Sequence, residues 1–76
     1  MEDRLRKIFA ETLEVSEDII VPTLEYASIP EWDSVAHMAI IAEMEDEFDI
    51  MIDTEDVIDM STFQIAIDTV KKILDE

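Results

Sequence analysis

Residues 30–48 read PEWDSVAHMAIIAEMEDEF, and this stretch decides the fold. Pro30 biases the chain before it away from helix. Asp33 is then placed to cap a new helix, its carboxylate accepting backbone N–H groups of the first turn. From Ser34 to Phe48 no residue breaks the run. At about 100° per residue, Ile40, Ile41, Met44 and Phe48 fall on one arc, which predicts the buried face of an amphipathic helix. His37 falls within that arc and is expected to be half-buried near the core.

The same periodicity extends outward. A first helix is predicted from about Glu2 to Glu14, with Leu5, Ile8, Phe9 and Leu13 on its buried face. Val15 to Trp32 carries Pro22 and Pro30 and no helical period, so it reads as a long loop anchored by Ile19, Ile20, Val21, Leu24 and Ile29. A loop this long in a small domain is often functional. A short third helix is expected at Thr54–Asp59, capped by Asp53 or Thr54 and anchored by Val57 and Ile58. The last helix opens at STFQ, where Ser61 and Gln64 match a capping box. Phe63, Ala66, Ile67, Val70, Ile73 and Leu74 form its apolar face, and Ile65 falls off it. The fold class is all-α: a small four-helix bundle with three longer helices and a short third one.

Composition agrees. The chain has 76 residues, 49% of them hydrophobic, and no glycine or cysteine. That length gives one domain, 1–76, with a modest core. The hydrophobic fraction is too high for a disordered acidic tail. Hairpins usually need glycine-bearing turns, which are missing. The formal net charge is −16. Every cation (Arg4, Arg6, Lys7, Lys71, Lys72) lies near an end, while 17 acids and no Lys or Arg lie between Ile8 and Val70. Such a body repels nucleic acid and anionic membranes and attracts basic protein surfaces. The start of the chain lacks the apolar core of a signal peptide, and no run approaches a membrane span. The expectation is a soluble cytoplasmic protein.

Ser34 admits several readings. As a helix-start serine it could be nothing more than a capping-region residue. A hydrolase would use Ser34 with His37, which is three residues on, and Asp33. However, there is no glycine turn for an oxyanion hole and little room for a cleft. A metal site finds no EF-hand spacing in the acidic stretches, so none is expected. A third reading makes Ser34 an attachment point, because a helix N-terminus favours a phosphate ester. Val35, Met38 and Ala42 form a second apolar stripe within about 100° of Ser34 on the helical wheel, away from the core arc. Glu45 and Asp46 flank its far end. An apolar strip rimmed by acids is a docking surface for a basic partner.

Over its whole length the chain resembles the acyl carrier proteins. WDSVAHMAIIAEMEDEFDIMI is similar to their serine-bearing helix, and STFQIAIDTVKKIL is similar to their last one. The resemblance implies that Ser34 is esterified with 4′-phosphopantetheine from coenzyme A, whose thiol carries acyl groups as thioesters. It implies a phosphopantetheinyl transferase as partner, with Asp33 assisting engagement of that enzyme and its magnesium. Acyl-loading and acyl-transferring enzymes with basic docking surfaces would meet the second helix. The implied protein is a discrete, monomeric, non-catalytic carrier of fatty acid, polyketide or related biosynthesis. Members often read D-S-L, where this chain has Val35, and Glu31 and Trp32 replace a common upstream glycine. The W-D-S form resembles carriers of specialised pathways. An aminoacyl carrier and an unmodified acidic adaptor for basic proteins are the alternatives.

Overall fold

The computed structural model describes residues 1–75. Four α-helices follow in order: α1, Glu2–Leu13; α2, Ser34–Phe48; α3, Thr54–Asp59; and α4, Phe63–Leu74. The loop between α1 and α2 contains one 3₁₀ turn at Glu17–Ile19 that the sequence pattern did not suggest. No strand forms among the described residues beyond a single bridge between Glu25 and Thr62.

The core is built around an aromatic column. Phe63 of α4 meets Phe9 of α1 edge-on at 5.0 Å between centroids. Phe9 meets Trp32 of the loop edge-on at 5.2 Å. Tyr26 stands edge-on to Trp32 at 5.9 Å. Edge-to-face geometry sets the positive ring edge against the negative face, adding to the apolar burial. Leu5, Ile40, Met44, Ile67 and Val70 pack around the column and are fully buried. Ala10 joins the buried face of α1, and Ile8 is only half-buried.

The long loop is pinned to the start of α4. The N–H groups of Phe63 and Gln64 are among those a helix leaves without an internal partner. They donate to the carbonyls of Leu24 and Pro22, both at 3.0 Å, and Tyr26 N–H donates to Ser61 O at 2.8 Å. This pinning corrects the expected cap. Thr62, not Ser61, is the N-cap of α4, its hydroxyl accepting from Ile65 N–H at 3.1 Å. Gln64 turns away to Asp68. The loop carbonyls fix the frame of the helix one residue later than the local motif suggests. Ile65 is half-buried against the core rather than exposed, and Ile73 and Leu74 are half-buried too.

With no glycine, the helix ends use other residues in the left-handed conformation. Glu14 (φ 58°), Asp49 (φ 53°) and Asp75 (φ 61°) close α1, α2 and α4. Beyond the first two, Val15 N–H returns to Ala10 O and Ile50 N–H to Glu45 O. That is the Schellman pattern, in which the residue after the left-handed one reaches back to a free carbonyl.

α3 is held at few points. It contains no buried residue, and Ile58, expected as an anchor, is 75% exposed. Six residues expose too little surface for two anchors on one side, and half-buried Val57 takes that place. Asp53 precedes α3 without a side-chain capping bond. Lys72 Nζ of α4 donates to Asp56 Oδ1 at 2.7 Å. That hydrogen bond leads in raising the Lys72 pKa above its ordinary 10.5; the charges of Asp56, Asp53 and Asp59 add to it, against some desolvation. A raised folded pKa stabilises the fold below the unfolded value, and the contribution is lost as pH rises through the folded one. Lys72→Gln should therefore melt slightly below wild type at neutral pH. The gap should close as pH climbs beyond 10.5, in paired circular dichroism melts. The effect is small because an exposed ion pair is screened by solvent.

Candidate functional site at the start of α2

Ser34 is the first residue of α2 and is exposed. Its position is set from both sides. Trp32, two residues before it, is fully buried. His37, one turn after it, is buried as well. Trp32 N–H donates to Ile29 O at 3.2 Å, and Trp32 O accepts from Ala27 N–H at 3.0 Å. The backbone entering α2 is thus a closed turn, with Ala27 at φ 65°. Asp33 is the N-cap: its Oδ1 accepts from Ala36 N–H at 2.8 Å. Its other oxygen makes no hydrogen bond among the described residues.

Trp32 Nε1 lies 3.0 Å from His37 Nδ1, and His37 Nε2 lies 2.9 Å from the Val57 carbonyl. An indole nitrogen can only donate, so Nδ1 accepts and Nε2 carries the proton that Val57 O receives. Both imidazole nitrogens are committed. Neither is available as a base for Ser34, which removes the Ser–His reading on geometry. The rings of Trp32 and His37 also stack at 5.9 Å, 26° apart. The helical wheel put His37 near the core; it gave no sign of this bond, which joins the loop, α2 and α3.

The other residues singled out in the sequence sit on α2 as follows. Val35 is 78% exposed and Met38 57%, and Ala42 is exposed beside them. Asp46 is exposed, while Glu45 is half-buried. The Glu45 carboxylate accepts from Ile52 N–H at 2.9 Å, so it braces the loop after α2 besides bearing charge. Sequence reasoning missed the exposure of Met51 at 85% and of Ile58, and it expected Ile19 and Val21 as loop anchors although they are exposed. Ile58 lines a recess of about 250 Å³ together with Tyr26, His37, Val57, Met60 and Ser61. Among the described residues, no group of three or more His, Cys, Asp or Glu could hold a metal ion. No helix among them is long and apolar enough to cross a membrane.

The residues at the start of α2 fit a phosphate ester. The Ser34 hydroxyl makes no hydrogen bond among the described residues, and neither do the N–H groups of Ser34 and Val35. Free N–H groups at a helix N-terminus, with the helix dipole behind them, favour an anion. A phosphopantetheine held there would supply the thiol that a cysteine-free chain lacks.

Comparison with known proteins agrees with this geometry. The model of the family described as "Phosphopantetheine attachment site" matches residues 3–70. Among solved structures, the holo acyl carrier protein of Geobacter metallireducens, determined by solution NMR, superposes with a TM-score of 0.86 at 23% identity. The match covers 97% of this chain and 85% of that one. Because the family model spans most of its length, the chain belongs to the phosphopantetheine attachment site family: it is a carrier protein rather than an enzyme, and its prosthetic group is a covalent 4′-phosphopantetheine.

Proposed function

We propose that Ser34 bears the arm and that the chain carries acyl groups as thioesters, presenting them to biosynthetic enzymes across the outer face of α2. The observation that carries this reading is the exposed, unbonded Ser34 hydroxyl beside two free N–H groups at the start of α2. In the transfer, Ser34 Oγ bonds to the phosphorus next to the pantetheine of coenzyme A, and the nucleotide half leaves. The serine proton passes to a group on the transferase, since His37 is engaged. The free oxygen of Asp33 faces the transferase and its magnesium. The reading places the protein in the cytoplasm with coenzyme A, as a monomer in a fatty acid, polyketide or related pathway. The test uses the absence of cysteine: unmodified protein has no thiol. Incubation with coenzyme A and a broad-specificity transferase should add one phosphopantetheine mass and one titratable thiol per chain. A chain that gains neither overturns the reading.

Val35, Met38 and Ala42 form the apolar contact with partner enzymes, and Glu45 and Asp46 form its acidic rim. The two kinds of residue should respond differently to substitution. A rim charge sets encounter rate and salt dependence. Asp46→Lys should slow modification at low salt and recover as the Debye length falls to ~3 Å at 1 M. Asp46 suits this test better than Glu45, whose loss also frees Ile52 N–H. Met38→Ala should weaken the complex at every salt concentration, by on the order of 1 kcal/mol at ~25 cal/mol per Å². Transferase kinetics at low and high salt check both.

A further inference from the structure

Resting on the reading of Ser34 as the arm's attachment point, we infer that Trp32 and His37 form a wall that keeps cargo out of the bundle and limits what shelters beside α2 to a short acyl group. A recess close to Ser34 is lined by His37, one turn along the same helix, where side chains are neighbours. Tyr26, Val57, Ile58, Met60 and Ser61 complete it. Its volume of about 250 Å³ is smaller than the ~300–1,000 Å³ of pockets that enclose a drug-sized ligand. Three of its lining residues, Tyr26, Ile58 and Ser61, are exposed, so it is open to solvent.

Nothing behind that recess yields easily. Trp32 backs His37 by stacking and by the Nε1–Nδ1 hydrogen bond. Phe9 backs Trp32, and Phe63 backs Phe9. Tyr26 meets His37 edge-on at 5.2 Å, closing the corner. A long alkyl chain could deepen the recess only by turning the imidazole aside. That would strand the buried indole N–H of Trp32 without a partner, an arrangement proteins avoid, and would break the bond to the Val57 carbonyl. It would also open the column that forms the core. A short acyl group meets none of these obstacles. A long one has to stay outside, along Val35, Met38 and Ile58.

The test is a chain-length series on intact protein. The transferase loads wild type from butyryl-, octanoyl- and dodecanoyl-coenzyme A, and intact mass confirms each product. Thioester half-life in hydroxylamine is then compared with that of the same acyl group on free pantetheine. Protection reports the fraction of time a group is buried, so from butyryl to dodecanoyl it should stay level or fall. The Trp32 indole N–H resonance should hold its position throughout. Protection that climbs with chain length, or an indole signal displaced by dodecanoyl and not by butyryl, overturns the inference while leaving the reading of Ser34 intact. Failure of wild type to load at all overturns both. A Trp32→Phe, His37→Leu double variant removes the hydrogen-bonded wall and should gain length-dependent protection. If it folds and gains none, the pair is not the barrier; if it does not fold, the wild-type series decides.

Discussion

A Ser34→Ala variant should take up no phosphopantetheine and show no titratable thiol, yet melt within a few degrees of wild type. The two outcomes separate because the structure separates the serine from the cap. Asp33, not Ser34, accepts the Ala36 N–H, and the Ser34 side chain is exposed. Alanine is also the best helix former, so α2 loses nothing by propensity. Asp33→Ala should behave in the opposite way. Losing the cap costs about 1 kcal/mol, which for a domain of this size lowers the melting temperature by roughly 4–8 °C. Modification should slow without vanishing, because the hydroxyl remains. Intact mass, thiol titration and circular dichroism melts of the two variants check the whole pattern. Labelling that persists in Ser34→Ala would place the arm elsewhere.

Phe9→Ala should melt roughly 12–40 °C below wild type, at about 4–8 °C per kcal/mol for a domain of this size. Phe9 is fully buried and is the one ring in contact with both Trp32 and Phe63. Removing a buried Phe costs about 3–5 kcal/mol. A chain of this length commands roughly 4–11 kcal/mol in total, so one substitution removes a large share of the margin. The loss should reach the site, because Trp32 positions the backbone entering α2 and loses its support. Circular dichroism melts should show the lowered transition, and transferase modification should fall as the variant is warmed through it. Met38→Ala is the matched control: on an exposed position of the same bundle it should melt close to wild type. If Met38→Ala melted as early as Phe9→Ala, Met38 would be core and the outward stripe would be wrong.

Much of this was legible because it is local. Asp33 caps α2 for reasons contained in four residues, and the arc of Ile40, Ile41, Met44 and Phe48 follows from helical geometry alone. Those residues are buried, and α2 spans Ser34–Phe48. Val35 and Met38 fell off that arc, and their exposure has the same origin. What could not be read depends on partners distant in the chain. The start of α4 is set by carbonyls of Leu24 and Pro22, about forty residues upstream, so the local Ser61–Gln64 motif was misleading. The Trp32–His37–Val57 brace joins three segments. Periodicity assigns a residue to a face but not to a hydrogen-bond partner. Ile58 shows the same limit: a short helix has an apolar residue on each side, and only the fold decides which one is covered.

The left-handed positions have a consequence for how this sequence could change. Glycine would adopt the conformation of Glu14, Ala27 and Asp49 without the ~1–2 kcal/mol that a side chain adds there. The gain is partly offset by the greater freedom of glycine in the unfolded chain. Ala27 has no polar group to bond locally, so it is the position where relief should be greatest. None of the three lies on the exposed stripe of Val35, Met38 and Ala42. The protein therefore holds unused stability at positions outside that stripe. Proteins sit near a threshold rather than an optimum, and a lineage of this chain could acquire glycine there to tolerate destabilising changes on α2. New docking preferences could then arise without loss of the fold.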